Sequence, residues 1–360
     1  MNDDGPVLLH TQGHALYITL NRPRALNALN HTMVRSIDAA LAGAECADEI
    51  TSVVIGGAGE RGLCAGGDIR TLHDDARAGG RSSLEFWRDE YRLNARIARF
   101  RKPYVALMDG IVMGGGVGVS AHGSIRVVTE RSRVAMPETG IGFMPDVGGT
   151  HLLAAAPGEL GTHLALTGRS VGAADALLCG LADHFVRSEH LPELTAALAT
   201  SATPGEVART VLRHTSEAPG GELASARHWI DACYAAETVE DILERLHGSG
   251  LPEARETAAT LLTKSPTALK VTLAAVRRAR ALDSLEAALD QEFRVSSRAF
   301  EQPDFVEGVR AQIIDKDRNP QWKPAGLAEV SDRDVARFFA PLGPDEQELG
   351  LAVDTGTDGA

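Results

Sequence analysis

Short apolar runs alternate with amphipathic segments along the first half of the chain. Three continuous apolar runs are typical of buried strands: residues 15–20, 52–55 and 104–108. Residues 30–41 and 82–100 have apolar positions at helical spacing, and Asn30 is a suitable N-cap for the first of these helices. This alternation predicts an α/β fold whose strands pair largely in parallel through right-handed crossovers.

The second half of the chain has mainly helical patterns. Periodic apolar positions predict one brief strand at 182–186 and helices at residues 150–156, 159–166, 173–179, 265–280, 284–300 and 304–314. Residues 188–251 are rich in alanine and carry no recognisable motif. We expect an α/β core over residues 8–187, a helical region over 188–342 that completes the fold, and a disordered acidic tail over 343–360.

Composition excludes some classes of partner. The 360 residues carry a formal net charge of -13, which disfavours nucleic-acid binding because phosphate neutralisation needs clustered Lys and Arg. No apolar stretch is long enough to span a membrane, and the acidic first residues resemble neither a signal peptide nor an Arg-rich transit peptide. We therefore expect a soluble cytoplasmic protein. Cys46, Cys64, Cys179 and Cys233 lack Cys-x-x-Cys spacing, so we expect reduced thiols and no metal site.

Residues 135–149 place two carboxylates, Glu138 and Asp146, in an apolar run that contains glycine and proline but no basic residue. Burial raises the pKa of an unpaired carboxyl, so either group is a candidate general acid, base or nucleophile. A structural role is the alternative. Glu138 follows Pro137 and could lie in the first turn of a helix, and Asp146 could cap the segment 147–155.

Two glycine-rich loops, residues 62–68 and 109–120, follow predicted strands. Free backbone N–H groups at such junctions bind anions, or an oxygen that develops negative charge. One donor from each loop could therefore hold a single carbonyl oxygen. Neither loop contains Gly-x-Gly-x-x-Gly at a strand-to-helix turn, and the chain has no Gly-x-x-x-x-Gly-Lys-Ser/Thr motif, so a nucleotide-binding loop is poorly supported.

Other candidate nucleophiles fit structural roles better. Ser120 lies outside any Gly-x-Ser-x-Gly motif, in a pattern typical of a helix interior. Cys64 has no obvious activating histidine, so a packed thiol is the simpler interpretation. His122 and His151 also fit structural roles.

Three motifs are similar to those of the crotonase (enoyl-CoA hydratase/isomerase) superfamily: Cys64-Ala-Gly-Gly-Asp-Ile69, Gly110-Ile-Val-Met-Gly-Gly-Gly-Val-Gly118 and Met136-Pro-Glu-Thr139. Four further segments resemble a thioester-hydrolase branch of that superfamily: residues 86–94, 143–149, 304–310 and 315–324. The resemblance extends from about Leu8 to about Leu342. It implies a crotonase-like ββα spiral core that hydrolyses a short acyl-CoA thioester in valine catabolism. Coenzyme A would be part of the substrate, and no separate cofactor is implied.

The resemblance also implies roles for individual residues. Backbone N–H groups of Gly67 and Gly115 would form an oxyanion hole. Glu138 would be catalytic, either as a nucleophile through a mixed anhydride or as a general base, and Asp146 would bind a 3-hydroxyl of the acyl group and assist proton transfer. The implied substrate contacts are Glu90, Gly115, Glu138 and Asp146, and the implied contacts to coenzyme A are Arg24 and Ala65.

One position departs from the pattern of the hydratases in this superfamily. They hold a water molecule between two glutamates, one at the position of Glu138 and one where this chain has Gly118. The missing carboxylate favours hydrolysis over hydration. An enoyl-CoA hydratase or isomerase and a non-catalytic binding module remain alternatives, and a homo-oligomer is possible.

Overall fold

The computed structural model describes residues 5–343 and 347–352. Within these ranges the strands are β1 (Val7–Gln12), β2 (Ala15–Leu20), β3 (Ser52–Gly57), β4 (Tyr104–Met108), β5 (Ile111–Met113), β6 (Ile125–Val128), β7 (Arg133–Ala135) and β8 (His184–Phe185). The helices are α1 (His31–Cys46), α2 (Ile69–Arg77), α3 (Ser82–Arg99), α4 (Gly115–Gly118), α5 (Gly149–Ala154), α6 (Leu160–Thr167), α7 (Ala173–Leu178), α8 (Leu191–Ala199), α9 (Pro204–His214), α10 (Leu223–Tyr234), α11 (Val239–Gly248), α12 (Pro252–Leu261), α13 (Pro266–Ala279), α14 (Leu285–Phe300), α15 (Pro303–Val309) and α16 (Asp332–Phe338). None of the helices described here is long and apolar enough to cross a membrane.

Six strands form one sheet in the order β1-β2-β3-β4-β6-β8. All neighbours are parallel except β1 and β2, which are antiparallel. The predicted parallel α/β fold is therefore confirmed. The sequence pattern missed edge strand β1, whose residues are exposed or only half-buried, and the interior strand β6. It also missed the small parallel sheet of β5 and β7, which begins in a stretch interpreted as a loop.

Side chains of the large sheet alternate between two apolar layers, as the period of a strand requires. In β3, Val53 and Ile55 face the main core, whereas Val54 faces a second cluster that includes Leu194 of α8 and Val211 of α9. Helices α8 and α9 thus cover one face of the sheet. This is the structural role of the first part of the motif-poor region 188–251.

The C-terminal helices close over the core. Helix α14 packs against α3 and α5, and α15 packs against α2 and the 3-10 helix Glu138–Ile141. The sequence explains where α13 and α14 start. Ser265 and Ser284 cap these two helices by accepting hydrogen bonds from backbone N–H groups. The region that carries the two predicted carboxylates is therefore enclosed by helices from the far end of the chain.

Residues 347–352 belong to the tail expected to be disordered, but they pack against the helical region. The Glu348 carboxylate pairs with Arg294 of α14 at 2.9 Å, and Leu349 is buried. Their short apolar and acidic sequence gave no sign of these partners. The other positions of the predicted tail, 344–346 and 353–360, lie outside the described residues.

Candidate active site

The two predicted donor loops lie side by side. Residues of the 62–68 loop bond to β5, with Cys64 N–H donating to Ile111 O at 3.1 Å and Met113 N–H donating to Cys64 O at 3.0 Å. The Gly67 nitrogen lies 3.4 Å from the position that a Cβ on Gly115 would occupy. Within the described ranges, neither the Gly67 nor the Gly115 N–H donates a backbone hydrogen bond. Two backbone N–H groups without a backbone acceptor therefore lie in one small region, and their role as an oxyanion hole stays a prediction.

These donors line a cavity of about 330 Å³. Its wall also contains Ala65 and all three predicted carboxylates, Glu90, Glu138 and Asp146. The apolar lining includes Ile69, Leu72, Phe86, Trp87, Ile141, Phe143, Phe305 and Ile313. Helices α3 and α15 thus supply side chains to a site whose donors come from the strand ends.

Glu138 and Glu90 lie beside Gly114 and Gly115 of the second glycine-rich loop. Glu138 Oε1 lies 2.9 Å from the position of a Cβ on Gly114, and Glu90 Oε1 lies 2.6 Å from that of a Cβ on Gly115. Glu138 Oε2 and Glu90 Oε1 are buried and make no hydrogen bond to the described residues. Burial, reinforced by the nearby Asp146 charge, raises the pKa of both carboxyls well above their usual value.

Among the residues that the structure describes, the Asp146 carboxyl bonds to one side chain, that of Tyr91. The Tyr91 hydroxyl donates to Asp146 Oδ2 at 2.9 Å and pairs with Ser296 Oγ at 2.8 Å. Burial raises the pKa of Asp146 to about 7, although the Tyr91 hydrogen bond favours the ionised form. Three carboxyls in one apolar cavity cannot all ionise readily at neutral pH, which is the electrostatic pattern of an acid–base site.

The structural roles considered for Glu138 and Asp146 were a place in the first turn of a helix and a helix cap, and only the first is observed. Glu138 is indeed the first residue of a short 3-10 helix. Asp146 does not cap α5 with its side chain. Instead the Glu292 carboxylate of α14 accepts from the backbone N–H groups of Gly148 at 2.6 Å and Thr150 at 2.8 Å. Glu292 was missed from sequence because its partners are more than 140 residues away.

The space beside Gly118 is filled. A Cβ on this residue would lie 2.8 Å from Val147 Cβ and 2.9 Å from Asn94 Nδ2, so a glutamate side chain has no room there. Val147 reaches this position from a left-handed backbone conformation, with φ of 53°. The absent carboxylate of the hydratase pattern is thus replaced by a packed valine and an amide.

The remaining candidates occupy structural positions. Cys64 is buried, and burial raises the pKa of its thiol to about 12, which opposes a nucleophilic role. Ser120 Oγ donates to Gly116 O, and the His122 ring pairs with Val147 O at 2.7 Å. Among the residues placed by the structure, no group of three or more His, Cys, Asp and Glu side chains could hold a metal ion.

The basic residue in the cavity wall is not the one that the sequence predicted. Arg24 is exposed and does not line the cavity, whereas Lys264, which the sequence did not single out, lies in its wall. Burial lowers the pKa of Lys264, and no ion pair to a described carboxylate forms within 4.0 Å. A role of Arg24 towards the nucleotide end of coenzyme A stays a prediction.

Comparison with known proteins agrees with the resemblance in the motifs. The chain is 44% identical to a rat mitochondrial 3-hydroxyisobutyryl-CoA hydrolase, covering 94% of this chain and 89% of that one, and 42% identical to the human protein of the same name with the same coverage. A solved carnitinyl-CoA dehydratase from Mycobacterium thermoresistibile superposes with a TM-score of 0.92 at 49% identity, over 97% of this chain and 99% of that one.

A solved enoyl-CoA hydratase from Rhodobacter sphaeroides gives a TM-score of 0.88 at 44% identity, over 97% of this chain and 100% of that one. The family model described as enoyl-CoA hydratase/isomerase matches residues 15–339. The donor loops and the enclosed carboxylates are all contained in that match. The chain belongs to the enoyl-CoA hydratase/isomerase family.

Proposed function

We propose that the protein hydrolyses 3-hydroxyisobutyryl-CoA to 3-hydroxyisobutyrate and coenzyme A. The observation that carries this proposal is the filled space beside Gly118. With Val147 and Asn94 there, no carboxylate can project from position 118, where the hydratases of this superfamily have the second glutamate that holds water. The rat and human relatives named 3-hydroxyisobutyryl-CoA hydrolase support the same reaction.

The oxyanion hole receives the thioester carbonyl oxygen. As the carbonyl carbon is attacked, negative charge develops on this oxygen, and the Gly67 and Gly115 N–H groups stabilise it. Loss of one such donor typically costs about 3 to 4 kcal/mol of transition-state stabilisation. The apolar lining strengthens this effect, because it lowers the local dielectric around the donors.

Glu138 acts on the carbonyl carbon by one of two routes. As a nucleophile, its carboxylate forms a mixed anhydride and expels the coenzyme A thiolate, and water then hydrolyses the anhydride. As a general base, it takes a proton from the water that attacks the thioester directly. A single turnover in heavy-oxygen water separates the routes, because only hydrolysis of an anhydride can place label in the Glu138 side chain.

Asp146 recognises the 3-hydroxyl group of the substrate, and Glu90 is a second substrate contact. An acyl chain without the hydroxyl leaves the buried Asp146 carboxyl without this partner. Such a loss costs about 1 to 3 kcal/mol, which is roughly ten- to a hundredfold in specificity.

The second candidate is hydration or dehydration of an acyl-CoA. The similarity to two solved structures, a carnitinyl-CoA dehydratase and an enoyl-CoA hydratase, favours it. The cavity disfavours it, because a water molecule near the β-carbon would have Glu138 but no carboxylate at position 118 to hold it. We therefore rank hydrolysis first.

We also propose that Lys264 binds an anionic or strongly polar part of coenzyme A, since it is the cation in the cavity wall. A cytoplasmic location is a further proposal. The relatives are named as mitochondrial, so fractionation of the source cell is needed to test it. The possible homo-oligomer likewise awaits measurement of mass in solution.

Thiol release from 3-hydroxyisobutyryl-CoA and isobutyryl-CoA tests the proposed function. We expect the specificity constant for the hydroxylated ester to be about ten- to a hundredfold higher, and Asp146→Ala to narrow this ratio. Absence of thiol release, or a wild-type ratio near one, would contradict the assignment.

A further inference from the structure

The backbone that presents Asp146 is held in an unfavourable conformation. Val147, the next residue, has φ of 53°, a region that a β-branched residue rarely adopts. Such a conformation persists only where the surrounding structure fixes it, and it is common at functional sites. The contacts that fix this turn therefore bear on how Asp146 is aimed.

Two side chains, the buried Glu292 and the half-buried His122, hold the turn from outside the cavity. Glu292 is fully buried and accepts from the backbone N–H groups of Gly148 and Thr150 and from the Thr150 hydroxyl. The ring of His122 pairs with the carbonyl of Val147. A serine at the N-cap could satisfy the start of a six-residue helix at lower cost, because its hydroxyl would not bury a carboxyl.

The same helix also holds the Asp146 side chain. Ser296, one turn after Glu292 on α14, pairs with the Tyr91 hydroxyl, and this hydroxyl donates to Asp146 Oδ2. Helix α14 thus fixes the backbone after Asp146 through Glu292, and its carboxylate through Ser296 and Tyr91. Because both the backbone after Asp146 and the carboxylate itself are held, the direction in which the carboxylate points is restricted.

We propose that Glu292 is a positioning residue that sets the specificity of the site by aiming Asp146 at the 3-hydroxyl of the acyl group. This inference rests on the proposed function. Glu292 does not line the cavity, so it acts only through the turn. Its replacement should therefore impair recognition of the hydroxyl more than attack on the carbonyl.

The test replaces Glu292 by glutamine, which keeps the size of the side chain but provides one acceptor oxygen where three donors converge. Specificity constants for 3-hydroxyisobutyryl-CoA and isobutyryl-CoA are measured for wild type and Glu292→Gln. We expect the ratio of the two constants to fall about tenfold, within the range for loss of one buried polar contact. Ser297→Ala is the matched control, because it removes a buried hydrogen bond from the same helix on a side away from the turn.

Binding of two stable thioether analogues, 3-hydroxyisobutyl-CoA and isobutyl-CoA, gives a readout that does not need turnover. The proposal predicts that Glu292→Gln lowers the binding preference for the hydroxylated analogue, whereas Ser297→Ala keeps it. Equal losses for both analogues and both esters in Glu292→Gln would assign only a structural role and overturn the proposal. If wild type releases no thiol, the proposed function fails. The analogue preference then still decides whether Glu292 controls recognition of the hydroxyl.

Discussion

Replacement of Asp146 by asparagine removes an ionisable group from the cavity wall with little change in shape, since the amide oxygen can still accept from Tyr91. Burial raises the pKa of Asp146 from 3.8 to about 7 in the folded protein. A group with a raised pKa in the folded state favours folding when protonated. Its favourable contribution is complete below the unfolded pKa and is lost as the pH rises through about 7.

The two pKa values give the size of the effect. Relative to the unfolded chain, ionising Asp146 costs the folded wild type about 2 to 3 kcal/mol more at pH about 8.5 than at pH about 5. Asp146→Asn does not incur this cost. The free energy of unfolding of Asp146→Asn minus that of wild type should therefore be about 2 to 3 kcal/mol more positive at pH about 8.5 than at pH about 5.

Urea unfolding of both proteins at the two pH values measures this difference. Glu307→Gln is the control, because hydrogen bonds from Arg310 lower the pKa of Glu307 and keep it ionised across the range. The effect of the control substitution should be nearly the same at both pH values. If Asp146→Asn gains nothing at the higher pH, or loses stability there, the electrostatic account of the cavity is wrong.

Two further predictions concern turnover. Glu138→Gln should lower kcat by about 10² to 10⁴-fold with binding of coenzyme A nearly unchanged, because the amide has neither basicity nor nucleophilicity; near-normal turnover would exclude this role. In wild type, kcat should reach half its maximum at a pH above the ordinary pKa of a glutamate, because the raised pKa of Glu138 must be passed before its carboxylate can act; a kcat that is already maximal near that ordinary pKa would count against this role. Lys264→Met should raise KM more than it lowers kcat, and more than Arg24→Met does; equal kinetics for both variants would argue against a role for Lys264 in binding.

Sequence predicted those parts of the fold that depend on local pattern. Strands β2, β3 and β4 are continuous apolar runs, and polar caps such as Asn30 accept a backbone hydrogen bond at the start of their helices. Strand β1 gave no such signal, because it lies at the sheet edge and only its first two residues are half-buried. Interior strand β6 was missed as well, and its first two residues are also half-buried. The sequence therefore specified the strands that are continuous apolar runs better than those that are partly exposed.

In the candidate site, too, the sequence predicted only those residues that a local pattern marks. Glu138 and Asp146 were predictable because they interrupt an apolar run, and the glycine loops because they follow strands. Glu292 was not, since a glutamate within an amphipathic helix usually faces solvent, and its burial depends on partners distant in sequence. Lys264 was missed for a similar reason, because it reaches the cavity only when the C-terminal helices close over the core.

The central claim is that the cavity supports hydrolysis of a thioester and not hydration of a double bond. One preparation of the wild-type protein should be assayed for thiol release from 3-hydroxyisobutyryl-CoA and, in parallel, for loss of the enoyl absorbance of crotonyl-CoA. The account predicts rapid thiol release and poor hydration, because Val147 and Asn94 occupy the place of the second carboxylate. Efficient hydration of crotonyl-CoA with little thiol release from the hydroxylated ester would contradict it.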